Sequence, residues 1–343
     1  MPHTVLITGA AGFVGSHLLR LLSAANPLLS IVAWRRPQRA GRPAQPRSLS
    51  DLPNVRWRTV DLLDPEDVTS SVGDCRPAVV YHLAGVAGVH GSWNSNLATL
   101  AGNVRGTQHL IGALERAGRD VKLLIPGSAL VYTPSSAAIS EDHELGPVSP
   151  YGLSKLAQEM LGQQASRDNL RVLLTRSFTH LGPGQDPTFA ASSFAYQIAR
   201  IERGDQAPVI KVGFLGARRD LTDVRDTVRA YVALVEKGTA GRPYNVCSGR
   251  ASTIEEVLDG LTAEARVPVG READEDRLRP NDNLLLLGDP RRIHSETGWR
   301  AEIPLDRTLR DLLDYWRGVV SDGWHFPGDT PGQTPARAER PAT

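Results

Sequence analysis

Tyr151 and Lys155 stand four residues apart in the run Tyr151-Gly-Leu-Ser-Lys155, and Ser128 precedes them. A phenol, with its ordinary pKa of about 10, gives a proton at neutral pH far more readily than it takes one. Residues four apart share a helix face, so the Lys155 ammonium is expected beside Tyr151, where its charge favours phenolate and draws the phenol's pKa toward the working range. The Ser128 hydroxyl can hold the oxygen that receives the proton. Near the N-terminus, Gly9, Gly12 and Gly15 follow an apolar run directly and open a helical pattern. In that setting the first glycine permits a tight turn, the second lets backbone approach a pyrophosphate, and the third lets helix pack on sheet. Phenol, lysine, hydroxyl and dinucleotide cradle together describe hydride transfer between a nicotinamide and a carbon that bears oxygen.

These groups need elements to position them. The first half alternates short apolar runs with helical patterns, the signature of β-α-β units and a parallel sheet. Strands are expected at 4–8, 30–34, 55–60, 78–83, 122–126 and 171–176, nearly all apolar because both faces of the sheet are covered. Helices are expected at 12–25, 65–72, 97–117 and 150–167. Beyond residue 182 the rhythm changes: helices at 189–203, 223–237 and 253–265, a strand at 244–247, and charged, loop-rich sequence from 266 to 283. The expected fold is α/β, a Rossmann-type doubly wound parallel sheet with a smaller mixed α/β substrate lobe at its carboxyl edge, where such sheets bind ligands. Residues 1–180, joined by roughly 220–250, make the dinucleotide domain; 181–219 and 251–325 make the lobe. Residues 36–47, and a flexible tail at 326–343, carry Pro and Gly without apolar periodicity.

Cofactor selectivity is read from the end of the second strand. A protein that selects NAD commonly places Asp or Glu about 20 residues beyond the third glycine. Here Trp34-Arg35-Arg36-Pro37 stands instead, and the guanidinium groups of Arg35 and Arg36 suit a 2′-phosphate, favouring NADP (NADPH) with NAD as the alternative. Asp61 and Leu62 are placed to reach an adenine edge. His82, at the end of the fourth strand, reads better as a hydrogen-bonded core histidine than as a catalyst. Asn103 falls inside a helical pattern, where Asn is mildly unfavourable, and either anchors a buried water beside the lysine or packs.

Bulk properties bound the rest. The 343 residues can bury two lobes around a cleft, and 39 basic against 38 acidic residues give a net charge of +1 that recruits neither nucleic acid nor an anionic membrane. Cys75 and Cys247 are too few for a disulfide framework or a zinc site; they read as core residues of a reducing compartment, and no metal is expected. No secretory leader and no long apolar run is apparent, so a cytoplasmic protein is expected.

Taken as a set, TGAAGFVG, DLLD, HLAG, NVRGT, YGLSK, RRDLTDVRD, YNVCSG and GDPRRI…GW resemble the extended short-chain dehydrogenase/reductases that act on nucleotide sugars, from about residue 3 to residue 318. The resemblance implies Ser128, Tyr151 and Lys155 as catalytic residues. It implies a cofactor held by Gly9, Gly12, Phe13, Val14, Gly15, Arg35, Arg36, Asp61, Leu62, Leu83, Ala84, Gly85, Asn103, Tyr151, Lys155 and Ser177. It implies a nucleotide-diphosphate sugar, GDP-linked by preference, met by Ser128, Thr179, His180, Val209, Lys211, Arg219, Arg279 and Asp282, with the two arginines flanking the diphosphate. A 4,6-dehydratase of this family carries Asp-Glu where Ala129-Leu130 stand, and an epimerase-reductase carries cysteine at Leu130; this chain has neither.

What remains is NADPH-dependent reduction of the C4 keto group of a GDP-4-keto-6-deoxyhexose, or NAD-dependent 4-epimerisation, with a non-catalytic nucleotide sensor as a third reading. The reductase pattern is the better match. Ser177 and Thr179 depart from it, standing where it has Pro and Asn, and Thr133 replaces a glycine. By analogy the helices at 97–117 and 150–167 pair across a two-fold axis, so a homodimer is expected.

Overall fold

The computed structural model describes residues 4–37, 49, 52–86, 96–277, 284–324 and 326. Its strands are β1 (Thr4–Thr8), β2 (Ser30–Arg35), β3 (Val55–Thr59), β4 (Val79–His82), β5 (Val121–Ser128), β6 (Leu170–Ser177), β7 (Thr179–Leu181), β8 (Val209–Val212), β9 (Arg218–Asp223), β10 (Pro243–Val246), β11 (Ala251–Thr253), β12 (Gly270–Ala273) and β13 (Leu285–Leu286). The helices are α1 (Phe13–Ala25), α2 (Pro65–Cys75), α3 (Asn96–Leu100), α4 (Gly106–Ala117), α5 (Pro150–Ala165), α6 (Ala190–Arg203), α7 (Val224–Lys237), α8 (Ile254–Ala263), α9 (Arg291–Thr297) and α10 (Leu305–Ser321).

Seven strands form one sheet in the order β10-β6-β5-β4-β1-β2-β3, with every pairing parallel. Leu18 and Leu19 of α1 and Val228, Tyr231 and Leu234 of α7 cover one face. Val68 and Val72 of α2, Leu110 and Leu114 of α4, and Ala165 of α5 cover the other. Double cover explains why the central strands are apolar throughout. β3 is the exception: it is the edge strand, and Arg56 is exposed there while Arg58 pairs with Asp74 at 2.5 Å. The chain leaves β1 toward β2 on one side and returns to β4 on the other, which opens a crevice between β1 and β4 at the carboxyl edge.

The later segments build the lobe. β9 pairs with β7, β11 and β13, while β8 and β12 form a separate parallel pair. Its core unites Phe194 and Ile198 of α6, Leu258 of α8, and Leu312 and Trp316 of α10, and the Trp316 indole N–H donates to Ser192 Oγ at 2.9 Å. The tail expected to be loose from residue 326 is tethered at its first residue, because Phe326 N donates to Tyr196 Oη at 3.0 Å and its ring meets Trp324. Most of the basic run expected at 36–47, and all of the tail beyond 326, lie outside the described residues.

The single helix expected at 97–117 is interrupted by a π-helical turn, Ala101–Arg105, which carries Asn103. Such turns insert a residue into the ladder and re-aim side chains, often at functional sites. No helix among the described residues is long and apolar enough to cross a membrane.

Candidate active site

Parallel strands deliver their C-terminal residues to a common edge, and most of the expected site residues on the sheet are strand-end residues. Thr8 is in register with His82, Arg35 with Thr59, and Ser128 with Ser177. Gly9 follows β1, Leu83, Ala84 and Gly85 follow β4, and Asp61 and Leu62 lie just past β3.

The glycine run closes a tight turn in which Gly12 N donates to Gly9 O at 2.9 Å. Gly9 has φ +65°, and a Cβ there would stand 2.7 Å from Ala84 N, so only glycine lets β1 and β4 approach at the crevice. Phe13, Val14 and Gly15 open α1, whose first turn has no side-chain cap and no acidic residue. Free N–H groups and a positive helix end facing a narrow crevice suit a pyrophosphate. Phe13 stacks on His180 of β7 at 6.0 Å between ring centroids, tying the cradle to the lobe. Arg35 and Arg36 are exposed at the end of β2, with Arg35 Nε donating to Thr59 Oγ1 at 3.3 Å. Asp61 is exposed, and its carboxylate accepts from Leu63 N at 2.9 Å.

α5 starts abruptly because Pro150 presets its first turn and Ser149 Oγ accepts from Gly152 N at 3.1 Å. A Cβ at Gly152 would fall 2.4 Å from Leu130 O, so glycine lets this first turn lie directly on the short turn that follows Ser128. Tyr151 is thereby brought to Ser128, whose hydroxyl acts to lower the phenol's pKa. Burial, and then the neighbouring Tyr231 phenol, push Tyr151 up to about 12 against that effect. The phenol is therefore protonated at neutral pH. Lys155, expected to lower it, is not among the groups that do so; its ammonium donates instead to Pro126 O at 2.7 Å and Gln158 Oε1 at 2.6 Å. Burial depresses Lys155 to about 8.

Asn103 is fully buried and clamps two elements together. It accepts from Val86 N at 2.8 Å and donates to Val86 O at 3.2 Å and to Ser154 Oγ of α5 at 2.9 Å. It thus fastens the loop after β4 to the Tyr151–Lys155 helix through protein groups. His82 is a buried, hydrogen-bonded histidine, held near a pKa of about 3 by burial and by Lys155. Ser177 Oγ lies 2.9 Å from Tyr231 Oη and 3.1 Å from Thr175 Oγ1.

Farther out, Thr179 and His180 occupy β7, with burial pushing the His180 imidazole below its ordinary value. Val209 and Lys211 lie on β8, where Lys211 N donates to Gln197 Oε1 at 2.8 Å. Arg219 sits on β9 and donates to Arg218 O at 3.0 Å. The adjacent Asp220 carboxylate is taken by Ser248 and by the backbone N–H groups of Gly249 and Gly288. Asp223 is taken by Arg225 and Thr308. Arg279 and Asp282 lie outside the described residues.

Several residues that shape the site were not singled out from sequence. Arg176 donates to both carboxylate oxygens of Glu159 (3.0 and 2.6 Å), locking α5 to β6. Gln158 and Thr107 touch Lys155 and His82. Glu159 and Gln158 could have been suspected as polar residues on an otherwise core-facing stripe of α5.

The fold and this constellation are those of an extended short-chain dehydrogenase/reductase. A family model described as GDP-mannose 4,6 dehydratase matches residues 6–312, and the chain belongs to that family. The GDP-6-deoxy-D-mannose reductase of Pseudomonas aeruginosa PAO1 is 35% identical over 329 residues, covering 94% of this chain and 100% of the relative. The UDP-glucose 4-epimerase of Bacillus subtilis 168 is 28% identical over 340 residues, covering 93% and 97%. Among solved structures, RMD from Pseudomonas aeruginosa complexed with NADPH superposes with a TM-score of 0.78 at 34% identity, covering 92% of this chain and 99% of that one.

Proposed function

We propose that this protein is an NADPH-dependent nucleotide-sugar 4-ketoreductase that converts GDP-4-keto-6-deoxy-D-mannose to GDP-D-rhamnose or its C4 epimer. One observation carries the reading: a buried, protonated Tyr151 phenol beside Ser128 at the carboxyl edge of a Rossmann sheet, in a chain whose relative over its whole length is a GDP-6-deoxy-D-mannose reductase. The uncapped start of α1, with Gly9, Gly12, Phe13, Val14 and Gly15, would hold the pyrophosphate. Arg35 and Arg36 would hold the 2′-phosphate, Asp61 and Leu62 the adenine, and Leu83, Ala84, Gly85, Asn103 and Ser177 the nicotinamide side. When bound, the dihydronicotinamide supplies the hydride.

The chain's own residues manage the oxygen and the proton. Ser128 holds the carbonyl oxygen of the substrate. Tyr151, kept neutral by burial, transfers its proton to that oxygen as the C4 carbonyl becomes an alcohol. Lys155, held by Pro126 O and Gln158 Oε1, offers its remaining N–H to the bound ligands. Arg219 and Arg279 meet the diphosphate, whose charge a protein of net charge +1 must satisfy locally, and Thr179, His180, Val209, Lys211 and Asp282 meet the sugar and base.

The reading extends to assembly and location. Leu97 on α3 and Leu153 and Met160 on α5 are 84%, 53% and 60% exposed, an apolar strip that supports pairing of these helices across a homodimer axis. Two buried thiols, Cys75 and Cys247, support a reducing, cytoplasmic setting. The test is NADPH consumption with GDP-4-keto-6-deoxymannose, followed by product stereochemistry. Purification with bound NAD, 4-epimerisation and no NADPH consumption would instead establish the epimerase reading suggested by the 28% identical relative.

A further inference from the structure

A chain of buried hydrogen bonds leads away from Lys155, and its donors and acceptors can be assigned one by one. Thr107 Oγ1 has a single proton, which it donates to Asn103 O at 2.6 Å. It must therefore accept from its other two partners, Gln158 Nε2 at 2.7 Å and His82 Nε2 at 2.9 Å. That places the His82 hydrogen on Nε2, so Nδ1 accepts from Thr8 Oγ1 at 2.9 Å, and Thr8 Oγ1 accepts in turn from Ala84 N at 3.1 Å. Thr8, His82, Thr107 and Gln158 are all at most 1% exposed.

Gln158 cannot turn its amide over without pointing an acceptor at Thr107 and a donor at Lys155. Its Oε1 is thus fixed on the ammonium, 2.6 Å away. With Pro126 O taking a second N–H at 2.7 Å, one N–H of Lys155 is left for a ligand. Four elements, β4, β5, α4 and α5, combine to set the direction of that one bond.

We propose that Gln158 is a positioning residue for Lys155, its amide locked by Thr107 so that the ammonium keeps a single N–H aimed for the reaction. The proposal rests on the role given to Lys155 above. A freely rotating ammonium would divide its donors among water and ligand, whereas a fixed one costs no reorganisation when chemistry occurs. The titratable groups around Lys155 are His82 of β4, held neutral, and Tyr151 of its own helix; the nearby Glu159 carboxylate is engaged by Arg176.

Two variants test it. Gln158→Met keeps volume and removes the amide; Gln158→Glu keeps an oxygen for the ammonium but adds charge. Gln158→Met is expected to lower kcat about ten- to hundredfold, with NADPH affinity within about threefold by fluorescence titration and little change in Tm. Gln158→Glu is expected to recover most of that kcat and to move the alkaline limb of the kcat profile up by about one pH unit or more, because a carboxylate partner favours the ammonium. A Gln158→Met enzyme with wild-type kcat and an unmoved limb would overturn the proposal. So would a kcat loss that merely tracks lost folding and is not recovered by Gln158→Glu.

Lys155→Met is measured alongside. If it turns over like wild type, or if wild type consumes no NADPH, it is the functional reading that has failed. The Gln158 link is then read from the cofactor-free protein. Wild type should gain stability relative to Lys155→Met between pH 8 and 10.5, and Gln158→Glu should shrink that gain and delay its onset to higher pH. A gain of unchanged size and onset in Gln158→Glu would overturn the link.

Discussion

Replacing Arg176 by methionine is expected to cost about 3–5 kcal/mol of stability, the range for removing one partner of a buried pair. The side chains of Arg176 and Glu159 are 4% and 2% exposed. The guanidinium makes four bonds: to Glu159 Oε2 at 3.0 Å, Glu159 Oε1 at 2.6 Å, Tyr132 Oη at 3.0 Å and Glu141 O at 2.8 Å. Tyr132 keeps a partner in Asn245 Oδ1, to which its hydroxyl donates at 2.7 Å. The Glu159 carboxylate loses both of its guanidinium donors, so most of the penalty is an uncompensated buried charge. The double variant Arg176→Met/Glu159→Met removes that charge too, and should lie within about 2 kcal/mol of wild type, well short of the sum of the two single losses. Urea denaturation of the four proteins, with a common m-value, reads the cycle. A single-variant loss under about 1 kcal/mol, or additive losses, would refute the argument. Because the pair fastens α5 to the strand that ends in Ser177, the single variant should also lose activity at temperatures where it remains folded.

Three further outcomes follow from the geometry. Gly152→Ala places a Cβ 2.4 Å from Leu130 O; it should displace Tyr151 from Ser128 and lower kcat at least about tenfold while NADPH titration stays near wild type, and unchanged kcat would contradict the close approach. Arg35→Ala/Arg36→Ala should weaken NADPH more than NADH, and equal weakening would remove these arginines from the site. Burial lowers Lys155 from 10.5 to about 8 in the folded chain, so between those values the unfolded chain binds more protons and stability should rise with pH; Lys155→Met should flatten that part of the Tm profile, and an unchanged profile would show the lysine to be solvated.

The sheet was legible because its central strands are buried on both faces and so read as unbroken apolar runs. β3, at the edge, satisfies one face only, and its arginines break that pattern. The lobe strands β7, β11 and β13 are two or three residues long, too short for any period to register, and β9 is polar. α10 did carry a readable signal, with Leu309, Leu312, Leu313, Trp316 and Val320 recurring every three to four residues on its buried face. In the site, Ser128, Tyr151 and Lys155 could be read because each has a chemistry that its spacing makes usable. Gln158 and Thr107 could not: singly each is an unremarkable polar residue, and only the topology that brings β4, α4 and α5 together joins them in one network with His82, already legible as a hydrogen-bonded core histidine. The same holds for Lys155 itself, whose partners come from β5 and its own next turn, so that burial, and not the lysine's charge, governs the Tyr151 phenol.

The most direct test of the account compares steady-state NADPH oxidation by wild type and Tyr151→Phe with GDP-4-keto-6-deoxymannose. Wild type should consume one NADPH for each C4 alcohol formed, and Tyr151→Phe should bind NADPH normally yet turn over at least about a hundredfold more slowly, the scale of a positioned proton donor. Turnover at the wild-type rate in Tyr151→Phe, or C4 inversion by wild type without NADPH consumption, would contradict it.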